Sequence, residues 1–268
     1  MPDILNQPPI LRSKAYDHDS EFKPENMLRE ARQQKSIADI KLPSICILDP
    51  DGDIVRNLIS SGRGHLNASW ACYHTQLYNF EHEEISFGVV GCVVGSSFAV
   101  LVAEELFASG CELLISITSS GQIVPKQNPP YFILIERALR DEGTSYHYLP
   151  PSNYSSISSD LLKILKSTFS NMSLPVYAGS TWTTDAPFRE TELAIAAARA
   201  EGILAVEMEA AALYAFSEAR KKPVICFAFV TNQMGKSEND FEKGEADGSQ
   251  VAFELISTTA QSWLSSRI

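Results

Sequence analysis

The chain has 268 residues, enough for one large domain or two small ones, and its 44% hydrophobic and 21% charged residues fit an ordinary soluble globular protein. A formal net charge of −11 disfavours a nucleic-acid backbone as main partner, and no apolar run nears the roughly 18 residues that span a bilayer. Cys46, Cys72, Cys92, Cys111 and Cys226 are widely spaced with no C-x-x-C pair, so reduced, mostly buried thiols are expected and no metal site.

In chain order, "MPDILNQPPILRSKAYDHDSEFKPENM" has no continuous apolar core behind a basic start, so it does not read as a signal peptide, and a cytoplasmic location is expected. Residues 1–40 are polar with scattered prolines and one helix-like piece, "PENMLREARQQKS". They read as an N-terminal arm packing on the domain or on a neighbouring subunit, with residues 41–268 forming the domain proper. "SICILD" is a short apolar strand ending in the turn "PDGD", and "IVRNLISSG" has helical spacing with a glycine stop. "EISFGVVGCVV" reads as one or two buried strands, and "SFAVLVAEELFASG" as a helix stopped by Gly110. "CELLISIT" is a strand ending in the loop "SSGQI", while "PPYFILIERALRDEG" can form a regular element only after its prolines. "PVYAGSTWTT", "ILAVEM" and "PVICFAFVTN" read as strands, with "ETELAIAAARAEG" and "EAAALYAFSEARKK" as the helices between them. Strands alternating with helices imply a largely parallel α/β sheet in one domain.

Ligands of such sheets gather at the C-terminal ends of strands. Those ends read "LDPDGD", "VVGSS", "ITSSGQ", "STWTTDAPF", "VEME" and "VTNQMG", nearly all polar, small or glycine-containing. Glu207 and Glu209 lie at one of them. On an extended strand they share a face, with Met208 opposite. Buried carboxylates need strong hydrogen-bond donors, and a vicinal diol such as the ribose 2′ and 3′ hydroxyls suits them. A carboxylate there also sits where positive charge grows as a glycosidic bond breaks. The competing role is structural: one glutamate caps the following helix.

These residues carry a resemblance. "AVEMEAAALYAF" resembles the Val-Glu-Met-Glu-(Ala/Ser)-Ala segment of the purine nucleoside and uridine phosphorylase superfamily. "VGSSFAVLVAEELFASGC" is similar to its glycine-rich turn and Glu-Glu-Leu helix, and "ITSSGQI" to its Gly-Thr loop. "RALRDEGTSYHYLPP" resembles the uridine-phosphorylase version of a further segment, and "GSTWTTDAPF" takes the place of the base-site strand. The resemblance runs in order from about Ile45 to the C-terminus. It implies a single-domain, three-layer α/β/α nucleoside phosphorylase-like fold with a central mixed, mostly parallel sheet. It also implies a homo-oligomer, dimer or hexamer, acting on a small-molecule nucleoside without nucleic acid, membrane or cofactor, phosphate being a possible co-substrate.

By the same resemblance Glu209 binds the ribose hydroxyls, with Met208 against the sugar and Glu207 nearby. Phe188 can stack on the base, Asp185 organises its loop, and Thr183, Arg189 and Gln233 are further candidates at the base. His147 matches a family histidine, a surface role being equally open. Asn232 takes the place where the family's nucleosidases carry an aspartate; an amide cannot act as a general acid but can hydrogen-bond a base leaving as an anion. Ser119, Gly95, Ser96 and Arg56 are the candidates for the phosphate or water site.

The phosphate-binding arginines of the family are not in place. In "LDPDGDIVR" Leu48 replaces the glycine and Arg56 comes several residues late; Ser116 stands where a second arginine belongs, and Thr118 replaces the loop glycine. A charge-assisted hydrogen bond from an arginine to a dianion is worth about 1.5–3 kcal/mol, so the usual phosphate cradle is dismantled. Either Arg56, Arg63 or His74 rebuilds an anion site, or water is the nucleophile. Phosphorolysis of a nucleoside is the default expectation, with a hydrolytic nucleosidase or a non-catalytic nucleoside sensor as alternatives.

Overall fold

The computed structural model describes residues 8–234, 240–241 and 243–267. Helix α1 (Pro24–Lys35) belongs to the arm. It buries Leu28 and Ala31 against Ala71, beside α3, and Lys35 Nζ fastens it by donating to the carbonyls of Ala71 and Cys72. The domain then runs β1 (Ile45–Asp49), α2 (Asp53–Ser60), β2 (His65–Leu66), β3 (Leu77–His82), β4 (Ile85–Gly91) and α3 (Ser96–Ala108). It continues with β5 (Leu113–Gln122), β6 (Tyr131–Asp141), β7 (Tyr154–Ser156), α4 (Ser159–Leu165) and β8 (Val176–Thr184). The last part is α5 (Glu192–Ala200), β9 (Ala205–Glu207), α6 (Ala210–Arg220), β10 (Val224–Asn232) and α7 (Ser249–Ser265).

All ten strands join one sheet in the order β10-β6-β8-β9-β5-β1-β4-β3-β2, with β7 beside β6. Parallel pairing holds β1 between β4 and β5, β10 to β5, and β8 between β6 and β9. The pairings β10–β6, β5–β9, β6–β7 and the β2–β3–β4 margin are antiparallel. The result is the expected mixed sheet, parallel at its centre. Because β10 also pairs with β5, the strands β5, β10, β6, β8 and β9 close into a ring. Central strands covered on both faces must be apolar throughout, and every residue of β1 and β10 is buried.

Strand β5 exceeds its expected length. "SSGQ", read as a loop, stays extended to Gln122 because β10 pairs one side of it as far as Gly121 while β9 takes Gly121 and Gln122. Pairing on both flanks overrides the glycine and serine turn signal. Strand β9 is shorter than "ILAVEM" suggests, stopping at Glu207. Strand β4 lies within the predicted "EISFGVVGCVV", whereas its hairpin partner β3, helix α4 and the 17-residue helix α7 have no counterpart in the sequence reading. Four of the cysteines are buried and unpaired; Cys92 is exposed.

Candidate active site

The site is assembled at the C-terminal ends of β1, β4, β5 and β9. The two glutamates that follow Val206 do not share a strand face: the chain leaves β9 after Glu207, bends at Met208, and Glu209 is the N-cap of α6. Their jobs separate accordingly. One Glu207 oxygen accepts the N–H groups of Glu209 (2.8 Å) and Ala210 (2.7 Å), and the other accepts the hydroxyls of Thr183 (2.5 Å) and Thr181 (3.1 Å). Thr183 in turn accepts the Ala211 N–H at 2.9 Å. Glu207 is therefore a fully bonded helix cap, the structural role that competed with ribose binding for this pair. Thr183, a candidate at the base, is committed to the same cap and fully buried.

Glu209 is 1% exposed. Its Oε1 accepts the Gly95 N–H at 2.7 Å, while its Oε2 has no hydrogen-bond partner among the described residues. Burial and the neighbouring Glu207 charge, with a smaller push from Asp51, raise its carboxyl to about 8; the Gly95 N–H pulls the other way. Gly95 adopts φ 93°, a left-handed conformation that disfavours any side chain, and so can aim its N–H at the carboxylate. Ser96, a candidate for the nucleophile site, is instead fully buried and spends its hydroxyl on the Met208 carbonyl at 2.7 Å. The two turns, 95–96 and 208–209, are thus stitched together by two hydrogen bonds.

The turn after β1 supplies the other half. Asp49 is buried and accepts the N–H groups of Gly52 (3.1 Å) and Val55 (3.0 Å), burial pushing its carboxyl up to about 7. Asp51 reaches across to β5, where its Oδ2 accepts the Ser119 N–H at 2.8 Å. Ser119 Oγ and the neighbouring Ser116 and Ser120 hydroxyls are buried without a partner among the described residues. Arg56 does not face this point: it pairs with Asp53, donates to the Asp51 carbonyl at 2.9 Å, and its guanidinium lies over Gly52, where a Cβ would meet Nη1 at 2.8 Å. Lys243 is also paired with Asp53. Arg63 is farther off, stacked 4.7 Å over Phe253 with His82 as its hydrogen-bond neighbour, and His74 lines a separate groove with Tyr73 and Cys92. Within the single chain, none of the three cations named from the sequence faces the Asp51–Ser119 contact.

At the base side, Phe188 is 99% exposed on the short 3₁₀ turn Pro187–Arg189, so it stacks on nothing as placed; Arg189 is exposed beside it. Asp185, ahead of that turn, accepts the Gly143 N–H at 2.8 Å and ties the loop to the end of β6. Asn232 closes the β5–β10 seam, donating to Thr231 Oγ1 (3.2 Å) and to the Ser120 carbonyl (3.5 Å) while accepting the Met234 N–H (2.9 Å). Exposed Gln233 follows, its N–H donated to Asp240. His147 is exposed and bonded to Lys14 of the arm at 2.8 Å, with its pKa lowered by burial and by that lysine. Sequence reasoning missed Asp51; only the excess of acid in "DPDGD" marks it. A hollow of about 650 Å3 between α4 and the last turn of α6, lined by Asp160, Ser217 and Lys221 among others, lies at the opposite end of that helix from Glu209.

Comparison with known proteins finds relatives of this chain. A family model described as the Phosphorylase superfamily matches residues 45–261. The structure is similar to that of a uridine phosphorylase from Vibrio fischeri ES114, with a TM-score of 0.70 and 20% identity, over 85% of this chain and 96% of that one. A second structure of that uridine phosphorylase, complexed with 6-hydroxy-1-naphthoic acid, gives a TM-score of 0.67 and 20% identity over 87% and 93% of the two chains. At this identity the likeness is one of fold.

Proposed function

We propose that this chain, which belongs to the phosphorylase superfamily, cleaves the N-glycosidic bond of a nucleoside by phosphorolysis. The observation that carries the reading is the buried Oε2 of Glu209, held at the mouth of the sheet without a hydrogen-bond partner among the described residues. A ribose hydroxyl is the donor such an oxygen lacks, and a carboxylate under the sugar favours the positive charge that develops as the bond to the base breaks. Met208 packs against the sugar. Glu207 acts one step back: it fixes the N-terminus of α6 and so the position of Glu209.

The base lies toward the ends of β8 and β10. Gln233 and Arg189 are exposed there and read its edge, while Asn232 holds the seam beneath them. Phe188 supplies a stacking face only by folding down from its exposed position, with Asp185 as the anchor of its loop. Ser119 and Gly95 border the position of the incoming phosphate. The protein needs no cofactor, works in the cytoplasm and assembles as a homo-oligomer, dimer or hexamer; apolar Val94 and Leu101, exposed on and beside α3, support such an assembly. Among the described residues, no helix is long and apolar enough to cross a membrane.

A nucleoside panel including uridine and inosine, assayed with and without inorganic phosphate by release of free base, is the test. Release that depends on phosphate, with pentose 1-phosphate formed in equal amount, is the expected result. Release indifferent to phosphate overturns phosphorolysis in favour of hydrolysis. Binding of a nucleoside with no release overturns catalysis altogether.

A further inference from the structure

We propose that Asp51 is the residue that determines how well this enzyme accepts phosphate: it is an internal anion seated where the incoming anion must bind. Its carboxylate accepts the Ser119 N–H at 2.8 Å, in the middle of β5. The other backbone donor at this mouth, Gly95 N–H, already serves Glu209. Both N–H groups that would cradle an oxyanion are thus taken by carboxylates of the chain. Arg56 is turned away into its pair with Asp53, and Lys243, also paired with Asp53, stands at the edge of ion-pair distance from Asp51. A phosphate dianion approaching Ser119 therefore meets a charge of its own sign unless Asp51 moves.

The structure also supplies a place for it to go. Lys243 Nζ lies 4.0 Å from Asp51 Oδ2, and the Asp51 side chain is 31% exposed, so a rotation toward the ammonium frees the Ser119 N–H without burying a charge. The apparent affinity for phosphate is then the intrinsic affinity scaled by the fraction of molecules in which Asp51 has let go. Such a residue screens nucleophiles. It holds back anions until their concentration outcompetes it.

The proposal rests on the phosphorolysis reading only in taking phosphate as the incoming group, and it is tested without turnover. Inorganic phosphate is titrated calorimetrically into the wild type and into Asp51→Asn, Asp51→Ala and Lys243→Met, with uridine and inosine titrated separately. Asp51→Asn and Asp51→Ala are expected to bind phosphate at least about tenfold more tightly than the wild type. Lys243→Met, which removes the alternative partner, should bind it more weakly. Nucleoside affinity should change less than phosphate affinity in both Asp51 variants. Phosphate binding no tighter in either Asp51 variant than in the wild type overturns the proposal. A chain that hydrolyses nucleosides in the panel defeats the phosphorolysis reading alone, because the phosphate titration still decides on Asp51.

Discussion

Replacing Glu209 with glutamine is expected to lower kcat/KM by about 10²–10³-fold while leaving the protein folded. The amide oxygen can still accept the Gly95 N–H, so the 95–96 and 208–209 turns stay stitched. What disappears is the negative charge under the sugar. The pH dependence gives a second readout. The Glu209 carboxyl titrates at about 8 because burial and Glu207 oppose its charge, so wild-type kcat/KM should rise with pH through that value if the carboxylate is the active form. Stability should run the opposite way. The folded state holds this proton more tightly than the unfolded chain, whose glutamate has an ordinary pKa near 4.5. The wild type therefore loses stability as pH climbs from that range through about 8. Asp49, raised to about 7, adds to the same slope. Glu209→Gln has no proton to release there, and its Tm should fall less steeply over the window. A Tm–pH curve identical to that of the wild type, or activity within a factor of a few, would sink the assignment.

Glu207 should fail differently. Glu207→Ala strands the N–H groups of Glu209 and Ala210 and the hydroxyls of Thr181 and Thr183, all in a buried cluster. Unsatisfied buried donors cost about 1–3 kcal/mol each, and with some relaxation the sum is on the order of 3–5 kcal/mol. At this chain size that is a fall in Tm of about 10 °C. Glu207→Gln should cost only about 1–2 kcal/mol, because its carbonyl can take both N–H groups while its amide donates to the threonine oxygens. It also removes the charge that pushes Glu209 upward, so the pH at which activity rises should move down. Thermal denaturation of the two variants beside a pH–rate profile of Glu207→Gln separates the cap from the active group. An alanine variant as stable as the wild type would refute the cap.

The sheet and the importance of the 207–209 segment are legible in the sequence because each rests on local pattern. Apolar runs of strand length, glycine stops and the Val-Glu-Met-Glu segment are all contiguous. What the sequence hides is pairing. Nothing in "SSGQ" says that two strands hold it extended, and nothing in "VEME" says the strand stops between the carboxylates and divides their duties. Arg56 illustrates the same limit. As a residue type it suits an anion, yet Asp53 three positions earlier captures it, and that choice is made by side-chain reach rather than by composition. Asp51 is hidden for the converse reason: its partner, Ser119, belongs to another strand. Phe188 is nameable from its position after "TTDAP", but neither its solvent exposure nor the tie of its loop to Gly143, distant in the chain, can be read there.

The ring formed when β10 returns to β5 has a kinetic side. Its members come from the middle and the end of the chain, and β9 is held only through β8 on one flank and β5 on the other. No local segment can build the site, since Asp51, Gly95, Ser119 and Glu209 are brought together from four separate parts of the chain. Helices α3, α6 and α7 form from near neighbours and should appear early, whereas ring closure waits on the most distant pairings. A refolding chain should therefore regain its far-UV circular dichroism well before it can bind a nucleoside, and a nascent chain that ends before β10 should be helical yet unable to bind.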